Sequence, residues 1–308
     1  MIDSLQVVKS AVRGDPALSV LVRVKNERPA LPEFWSRLSA QSFFSRAEVL
    51  FLDSGSTDGT LEFLQPLPVT VYQIPPEAFC FGAACNLLVS LSRAPVVCFL
   101  SGHVLLENPD ALEKLHAALS GSARAAAYLR QAPDIVFGAN YYERAYLERR
   151  YPCKLGLELI QVHRPGGFSN AASGLTRDAW EGNPFPELHA SEDFVWAEKH
   201  LARGGKLFYL PGVTVMHSHR DSPSRVYQRV LSNAQARGGK GSYLKASYFL
   251  AGVLLAMLRA GAPAREALRY AVSHARAYLP HNLRAAPMPS RTLTPGPHKA
   301  PDINRSTA

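Results

Sequence analysis

Short apolar runs alternate with helix-like stretches through the first third of the chain. Four of these runs show no polar alternation, which predicts strands buried on both faces, over residues 18–24, 47–53, 69–74 and 95–101. The stretches between them carry apolar residues at helical spacing and predict helices over 30–41, 57–65, 82–92 and 109–119. Residues 125–131 predict one further strand. This order predicts an α/β fold with a mostly parallel sheet and helices on both faces.

The pattern loosens after residue 135. Residues 166–205 are rich in loop residues, with one helix predicted over 192–203, between a Ser191 N-cap and Gly204–Gly205. A β segment broken by Pro-Gly follows over 206–219, and then helices over 223–237, 243–260 and 263–278. The predicted domains are an N-terminal extension over 1–16, an α/β domain over 17–220, a helical region over 221–284, and a Pro-rich, disordered tail over 285–308.

Composition limits the class of protein and the compartment in which it would reside. The 308 residues are 47% hydrophobic, which is enough for a core of ordinary size. The N-terminus lacks the basic start and apolar centre of a signal peptide. The longest apolar stretch, residues 247–261, is shorter than the ~20 residues of a membrane span. Four cysteines without CxxC spacing favour a reducing compartment over a zinc cluster. Together these features predict a cytoplasmic protein.

Charge is distributed unevenly. The net charge is +9, but 16 basic and 3 acidic residues follow residue 202, against 18 and 22 before it. Such asymmetry indicates that the C-terminal part meets something anionic. The basic residues are spread among apolar ones and do not cluster with aromatic residues, so an anionic membrane surface or a phosphate-bearing substrate fits better than nucleic acid.

Polar residues gather where the first two predicted strands end. "VRVKNE" (22–27) closes the first strand, and "LDSGSTDGT" (52–60) closes the second. Small and hydroxyl-bearing residues before a helix N-terminus suit a phosphate or a ribose. Each loop alone could equally be ordinary strand-end or helix-capping chemistry. If the two strands are adjacent, the loops together predict a nucleotide pocket.

An ordered series of motifs resembles family 2 glycosyltransferases, in particular a rhamnosyltransferase-like branch. The series comprises "LSVLVRVKNE", "EVLFLDSGSTDGTLEFL", "FGAACN", "CFLSGHVLL" and the segment from "FSNAASG" to "MHSH", and it covers about residues 17–235. The resemblance implies a GT-A fold and inverting transfer from a nucleotide-sugar donor. It further implies a glycan or lipid-linked acceptor in a surface polysaccharide or glycolipid pathway.

Carried over by motif, the resemblance implies a set of donor-binding residues. They are Arg23, Lys25, Asn26, Glu27, Asp53, Ser54, Ser56, Asp58, Phe81, Gly82, Asn86, Ser101, Gly102 and His103. Asp53 would lie at the ribose and base, Gly82 would let the donor approach closely, and Asn86 would start a helix. Many family members carry a second acid at the position of Ser54, where it reads a uracil, so the base of the donor stays open.

His103 departs from the family pattern, which usually places a metal-binding acid at this strand end. Three interpretations stay open. His103 could join His217 or His219 as a ligand of a divalent cation, Mn²⁺ or Mg²⁺, although imidazole suits Mn²⁺ or softer ions better than Mg²⁺. It could instead contact the diphosphate directly. Finally, it could be an ordinary loop residue.

The acidic pair of "SEDFVW" (191–196) resembles the catalytic acids of the family. Asp193 aligns with the usual general base, which takes the proton of the acceptor hydroxyl, and Glu192 precedes it. Trp196 is predicted to stack on an acceptor sugar, and Asn170 and Ser173 to hydrogen-bond one. Ser-Glu-Asp is also a good helix start without any catalytic role.

Two other functions stay open. A nucleotidyltransferase would share the nucleotide-binding half but has no evident use for the acidic pair. A non-catalytic sugar-nucleotide-binding subunit would account for His103 and Ser54. The apolar, Arg-flanked helices after residue 223 could be core packing, or could seat the protein on an anionic membrane.

Overall fold

The computed structural model describes residues 4–11, 14–136, 138–154 and 156–283, and within them ten strands form one mixed sheet. The strands are β1 (Gln6–Lys9), β2 (Leu18–Val24), β3 (Ala47–Asp53), β4 (Thr70–Gln73), β5 (Val96–Ser101), β6 (Leu105–Leu106), β7 (Ala125–Ala132), β8 (Ile160–Val162), β9 (Ala172–Thr176) and β10 (Lys206–Met216). Their spatial order is β1-β4-β3-β2-β5-β9-β7-β10-β6, and β8 pairs with β10.

The predicted parallel sheet is confirmed in its first half. β4, β3, β2 and β5 are neighbouring parallel strands, and the β2–β3 register places Val24 beside Asp53. β9 runs antiparallel between β5 and β7. The stretch predicted only as an N-terminal extension contributes β1, which adds an antiparallel edge to β4.

Helices cover both faces of the sheet. They are α1 (Leu31–Ser39), α2 (Thr60–Leu64), α3 (Phe81–Leu91), α4 (Ala111–Ser120), α5 (Tyr141–Arg150), α6 (Arg177–Glu181), α7 (Glu192–Ala202), α8 (Pro223–Ala236), α9 (Tyr243–Arg259) and α10 (Ala264–Arg276). Successive β2 side chains point to opposite faces: Val20 and Val22 pack in one buried cluster with α1 and α4, and Leu21 packs in another with α3 and α7.

β10 continues through Pro211–Gly212, and the predicted Pro-Gly break appears as an interruption of its pairing with β7. The pairing with β7 shifts register between Leu210 and Thr214. A bulge of this kind accommodates a proline that has no N–H to donate. Its consequence is that β10 reaches Met216 in register and delivers the following histidines to the edge where β2 and β5 end.

The helical region predicted over 221–284 contains α8, α9 and α10, and its core cluster includes Val226, Met257 and Tyr270. It is joined to the sheet domain through α5, since the Tyr142 hydroxyl hydrogen-bonds Nδ1 of His274 at 2.7 Å. None of the helices within the described residues combines the length and apolarity needed to cross a bilayer. The predicted disordered tail lies outside the described residues. The four cysteines are free thiols.

Candidate active site

The loops after β2 and β3 lie side by side and brace each other. The Asn26 N–H donates to Ser56 Oγ at 2.8 Å, and the Thr57 N–H donates back to Asn26 Oδ1 at 2.8 Å. Asn26 has a φ of 55°, a left-handed conformation that is costly for a residue with a Cβ. Asn26 and Ser56 therefore shape the loop pair by contacting each other.

Asp53 shapes the same loop from inside. It is fully buried, and its carboxylate accepts hydrogen bonds from the Gly55 N–H at 3.0 Å, the Ser56 N–H at 3.0 Å and the Gln73 amide at 2.9 Å. The prediction that Asp53 contacts ribose or base directly is wrong for this arrangement, because its oxygens are already occupied and shielded from solvent.

The remaining strand-end residues divide by exposure. Lys25 is exposed. Asp58 is also exposed, and its Oδ1 accepts the Thr60 N–H at the start of α2. Ser54 is buried, and its hydroxyl donates to the Val24 carbonyl oxygen. Lys25 and Asp58 therefore remain accessible to a donor.

Three histidines meet where the loops after β5 and β10 converge. One possible ligand atom from each of His103, His217 and His219 lies within 4.8 Å of the others. Nε2 of His103 is 3.2 Å from Nε2 of His217. Burial, with the charges of His219 and His103, lowers the pKa of His217 well below its ordinary value, and burial together with His103 lowers the pKa of His219 to about 3. Both imidazoles are therefore neutral at pH 7.

Side chains behind the histidines fix their orientation. Nδ1–H of His103 donates to Glu27 Oε1 at 2.8 Å, and Nδ1–H of His217 donates to Gln131 Oε1 at 2.7 Å. In this arrangement both Nε2 atoms present lone pairs. The backbone N–H of His219 donates to Glu143 Oε1 at 2.6 Å. Gln131 and Glu143 were not predicted, because they come from the end of β7 and the start of α5 and carry no local motif.

The acidic pair lies at the start of α7, after a strained residue. Ser191 has a φ of 57°. Glu192 is buried, and its Oε1 lies 3.5 Å from Nη1 of Arg23 and 3.4 Å from Nδ2 of Asn170. Asp193 is half-buried, and its Oδ2 accepts the Asn170 N–H at 3.4 Å. Arg23, predicted to bind the donor, therefore links β2 to the acidic pair.

The two carboxyl groups differ in their environment. Burial and then the charge of Asp193 raise the pKa of Glu192 to about 7, against the opposing effect of the Arg23 guanidinium. Asp193 keeps solvent access. Of the pair, Asp193 is therefore the more solvent-accessible carboxylate, and Glu192 is held against Arg23.

A cavity of about 450 Å³ lies between the acidic pair and the two histidines that follow β10. Asp193 lines it together with His217, His219 and Ser101, and the exposed ring of Phe81 stands under the Arg23 guanidinium at 5.3 Å. α8 closes the other side with residues that sequence reasoning missed: Arg229, Ser232, Asn233 and, just after the helix, Arg237. The helical region is thus part of the site.

The prediction of acceptor contacts by Trp196, Asn170 and Ser173 is wrong. Trp196 is 0% exposed, stacks between Phe168 and Phe185, and donates its indole N–H to the Asn183 carbonyl.

Ser173 is equally buried on β9 and donates to Asn170 Oδ1 at 3.2 Å. Asn170, 1% exposed, holds the acidic pair from behind. A sequence pattern does not reveal which face of a helix or strand packs against the rest of the protein. Here the face of α7 that carries Trp196 and the β9 segment both pack into the protein core.

Three further residues predicted to bind the donor make close contacts within the protein. Gly82 approaches protein, since a Cβ there would lie 1.8 Å from the Pro186 carbonyl oxygen. Asn86 lies within α3 and not at a helix start, and its amide is used by Phe185 and the Trp180 indole. Gly102 is also required by packing, because a Cβ would lie 2.7 Å from the Val24 side chain.

Comparison with known proteins gives a family. The profile of glycosyl transferase family 2 matches residues 19–178, about half of the chain. The match ends before the acidic pair. The O-antigen chain rhamnosyltransferase WbaN of Salmonella anatum is 26% identical over 226 residues, which cover 70% of each protein.

Solved structures share the fold at low sequence identity. Residues 1–349 of TarS from S. aureus, in complex with UDP, match with a TM-score of 0.53 at 17% identity, over 86% of this chain and 88% of that one. The mannosyltransferase PcManGT from Pyrobaculum calidifontis, in complex with GDP-Man and Mn²⁺, matches with a TM-score of 0.53 at 16% identity, over 87% and 72%. The expected GT-A fold is confirmed.

Proposed function

This chain belongs to glycosyl transferase family 2 and is a glycosyltransferase, and we propose that it moves a sugar from a nucleotide-sugar donor to a saccharide acceptor during surface-polysaccharide synthesis. One observation carries the proposal: Asp193 on α7 and the two histidines after β10, His217 and His219, line one cavity beside the ends of β2 and β5. The similarity to WbaN, an O-antigen chain rhamnosyltransferase, favours transfer of rhamnose or a related deoxyhexose.

Asp193 acts as the general base in this proposal. Its carboxylate takes the proton of an acceptor hydroxyl while that oxygen forms a bond to the anomeric carbon of the donor sugar. The bond from that carbon to the nucleoside diphosphate breaks in the same displacement, which inverts the configuration. Glu192 and Arg23 position Asp193 through Asn170, whose N–H and side chain touch both acids.

The donor lies along the loops after β2 and β3. Lys25 and Asp58 are accessible there, whereas Asn26, Ser56 and Asp53 hold the loops in shape. Phe81 and Ser101 line the cavity next to these loops. The diphosphate would then lie towards His103 and the two histidines that follow β10.

The three histidines fit a divalent cation. The 3.2 Å between Nε2 of His103 and Nε2 of His217 falls within the roughly 3.0–3.4 Å expected for two nitrogens that share an ion at about 2.1 Å. Glu27 and Gln131 supply the outer hydrogen bonds typical of ligating imidazoles. An all-nitrogen set favours Mn²⁺ or another transition ion over Mg²⁺. When bound, the ion would neutralise charge on the departing diphosphate.

An exposed apolar face supports contact with an anionic membrane. Leu244, Tyr248, Leu255 and Leu258 form the α9 stripe, whose first two side chains are 82% and 64% exposed. Residues 222–283 contain nine basic residues and one acidic residue. An apolar stripe within a basic surface is the arrangement of interfacial helices, and lipid-linked acceptors reside at such a surface.

The alternatives are weaker. A binding subunit without activity has no need for a solvent-accessible carboxylate beside a buried one, and family membership disfavours a nucleotidyltransferase.

The test is a thermal-shift panel of UDP, dTDP, GDP and CMP with Mn²⁺, Mg²⁺ or EDTA. We expect one nucleotide to stabilise the protein in the presence of Mn²⁺ more than of Mg²⁺. Stabilisation by none of them would refute the donor assignment.

A further inference from the structure

The four arginines that line the cavity are neutralised unequally. Arg23 is paired with Glu192 at 3.5 Å, and Arg229 is paired with Asp221 at 2.9 Å. Within the described residues, Arg150 and Arg237 have no carboxylate oxygen within ion-pair distance. The cavity therefore has two cations without a fixed counter-ion.

Neutral groups hold these two guanidiniums in place. Arg237 lies 3.9 Å above the Phe194 ring and donates from Nε to Ser191 Oγ at 2.9 Å. Arg150, half-buried on the wall formed by α5, lies 5.8 Å from the centre of the Tyr146 ring and 5.9 Å from that of Tyr151. Stacking orients a guanidinium and leaves N–H groups free for an anion.

The two arginines lie on the Asp193 side of the cavity. Burial lowers the pKa of Arg237, the neighbouring Arg150 charge lowers it further, and the Asp193 carboxylate raises it. Arg229 is instead close to the histidines, where its charge adds to burial and to the neighbouring imidazoles in lowering the pKa of His217. The two ends of the cavity thus have separate cations.

We propose that Arg150 and Arg237 bind a phosphoryl group carried by the acceptor, a proposal that rests on the glycosyl-transfer function above. Guanidinium forks match phosphate oxygens in bidentate geometry, and their two positive charges match the charge of about −1.5 to −2 on a phosphate monoester at neutral pH, or the one negative charge on each phosphate of a diphosphate esterified at both ends. The acceptor hydroxyl would then be oriented towards Asp193 by an anion bound a short distance away. The saccharide linked to a lipid diphosphate and a free sugar phosphate share this chemistry.

The test is calorimetric titration of decyl diphosphate into the full chain, with Mn²⁺ and a saturating concentration of the nucleoside diphosphate found in the panel above. The nucleotide fills the donor site, so added diphosphate reports the second site. Inorganic pyrophosphate, decyl glucoside and methyl glucuronide are titrated in parallel. Two variants, Arg150→Gln and Arg237→Gln, each remove one positive charge from the cavity. Their counterparts Arg150→Lys and Arg237→Lys keep that charge. The matched control is Arg265→Gln, because Arg265 is exposed on α10 outside the cavity.

We expect each Gln variant to weaken decyl diphosphate binding at least tenfold, each Lys variant to weaken it less than its Gln counterpart, and the Arg265 variant to bind as wild type does. Tighter binding of decyl diphosphate than of pyrophosphate would identify the lipid-linked source, and equal binding would identify the free phosphate. Unchanged binding in both Gln variants, or equal binding of decyl glucoside, would overturn the proposal, as would preference for the glucuronide. If a nucleotide binds but decyl diphosphate does not, only the proposed phosphate site at Arg150 and Arg237 is refuted. If no nucleotide binds, the assignment of the donor site is refuted as well.

Discussion

The contribution of Glu192 to stability should fall as pH rises from 4.5 to about 7, because the pKa of this buried acid is raised. The pKa of Glu192 is raised from its ordinary 4.5 to about 7, chiefly by burial and then by Asp193, with Arg23 opposing and the Cys85 thiol also nearby. Between these two values the folded chain holds a proton that the unfolded chain releases. Rising pH therefore favours unfolding in this window and has no further effect through this group above it. At about 1.36 kcal/mol for each unit of pKa, the loss is about 3 kcal/mol.

The assay is urea unfolding of wild type and Glu192→Gln at closely spaced pH values from 4.5 to 8.5. The variant cannot titrate at this position, so the free energy of unfolding of wild type should fall by about 3 kcal/mol relative to that of the variant across the window. Glu198→Gln, an exposed site on the same helix, should run parallel to wild type. Parallel curves for wild type and Glu192→Gln would refute the account of a buried, high-pKa acid.

Three other predictions concern packing, metal and membrane. Gly82→Ala should lower the free energy of unfolding by about 1–3 kcal/mol, because its Cβ meets the Pro186 carbonyl. The control Gly121→Ala should change the free energy of unfolding little, because open space surrounds that position. Equal losses in the two variants would contradict the packing argument. His217→Ala should abolish Mn²⁺ binding measured by electron paramagnetic resonance, whereas the exposed His163→Ala should not; retention in the first would exclude His217 as a ligand. Leu244→Glu with Tyr248→Glu should reduce sedimentation with phosphatidylglycerol vesicles more than Gln228→Glu does on exposed α8 surface, and unchanged sedimentation would exclude the α9 stripe.

The sheet was predictable because its strands are buried on both faces. Continuous apolar runs such as residues 18–24 and 47–53 leave little choice of element, and both appear with those bounds. β1 and β9 were not predicted as strands, because short strands with few apolar residues show no distinctive hydrophobic periodicity. Their place in the sheet depends on pairing partners, Tyr72 on β4 for one and Phe99 on β5 for the other, that lie far away in sequence.

Site residues were predictable only where they belong to a local sequence motif. Asp193 and the three histidines could be found from local patterns, and the structure brings them to one edge of the sheet. Gln131, Glu143 and the arginines of α5 and α8 could not, since their relevance arises from packing between distant elements. Trp196 shows the converse, because a residue at a suggestive spacing is covered on every side by Phe168, Phe185 and His200.

The most direct test of the central claim is to measure sugar transfer and nucleotide binding together in wild type and Asp193→Asn. Transfer is followed from each labelled nucleotide sugar to lipid-linked saccharides extracted from the source cells. Loss of a general base costs about 10²–10⁴-fold in rate, so transfer by the variant should fall into that range while its affinity for the nucleoside diphosphate stays within a factor of about two. Transfer by Asp193→Asn within tenfold of the wild-type rate would contradict the assignment of Asp193 as the base.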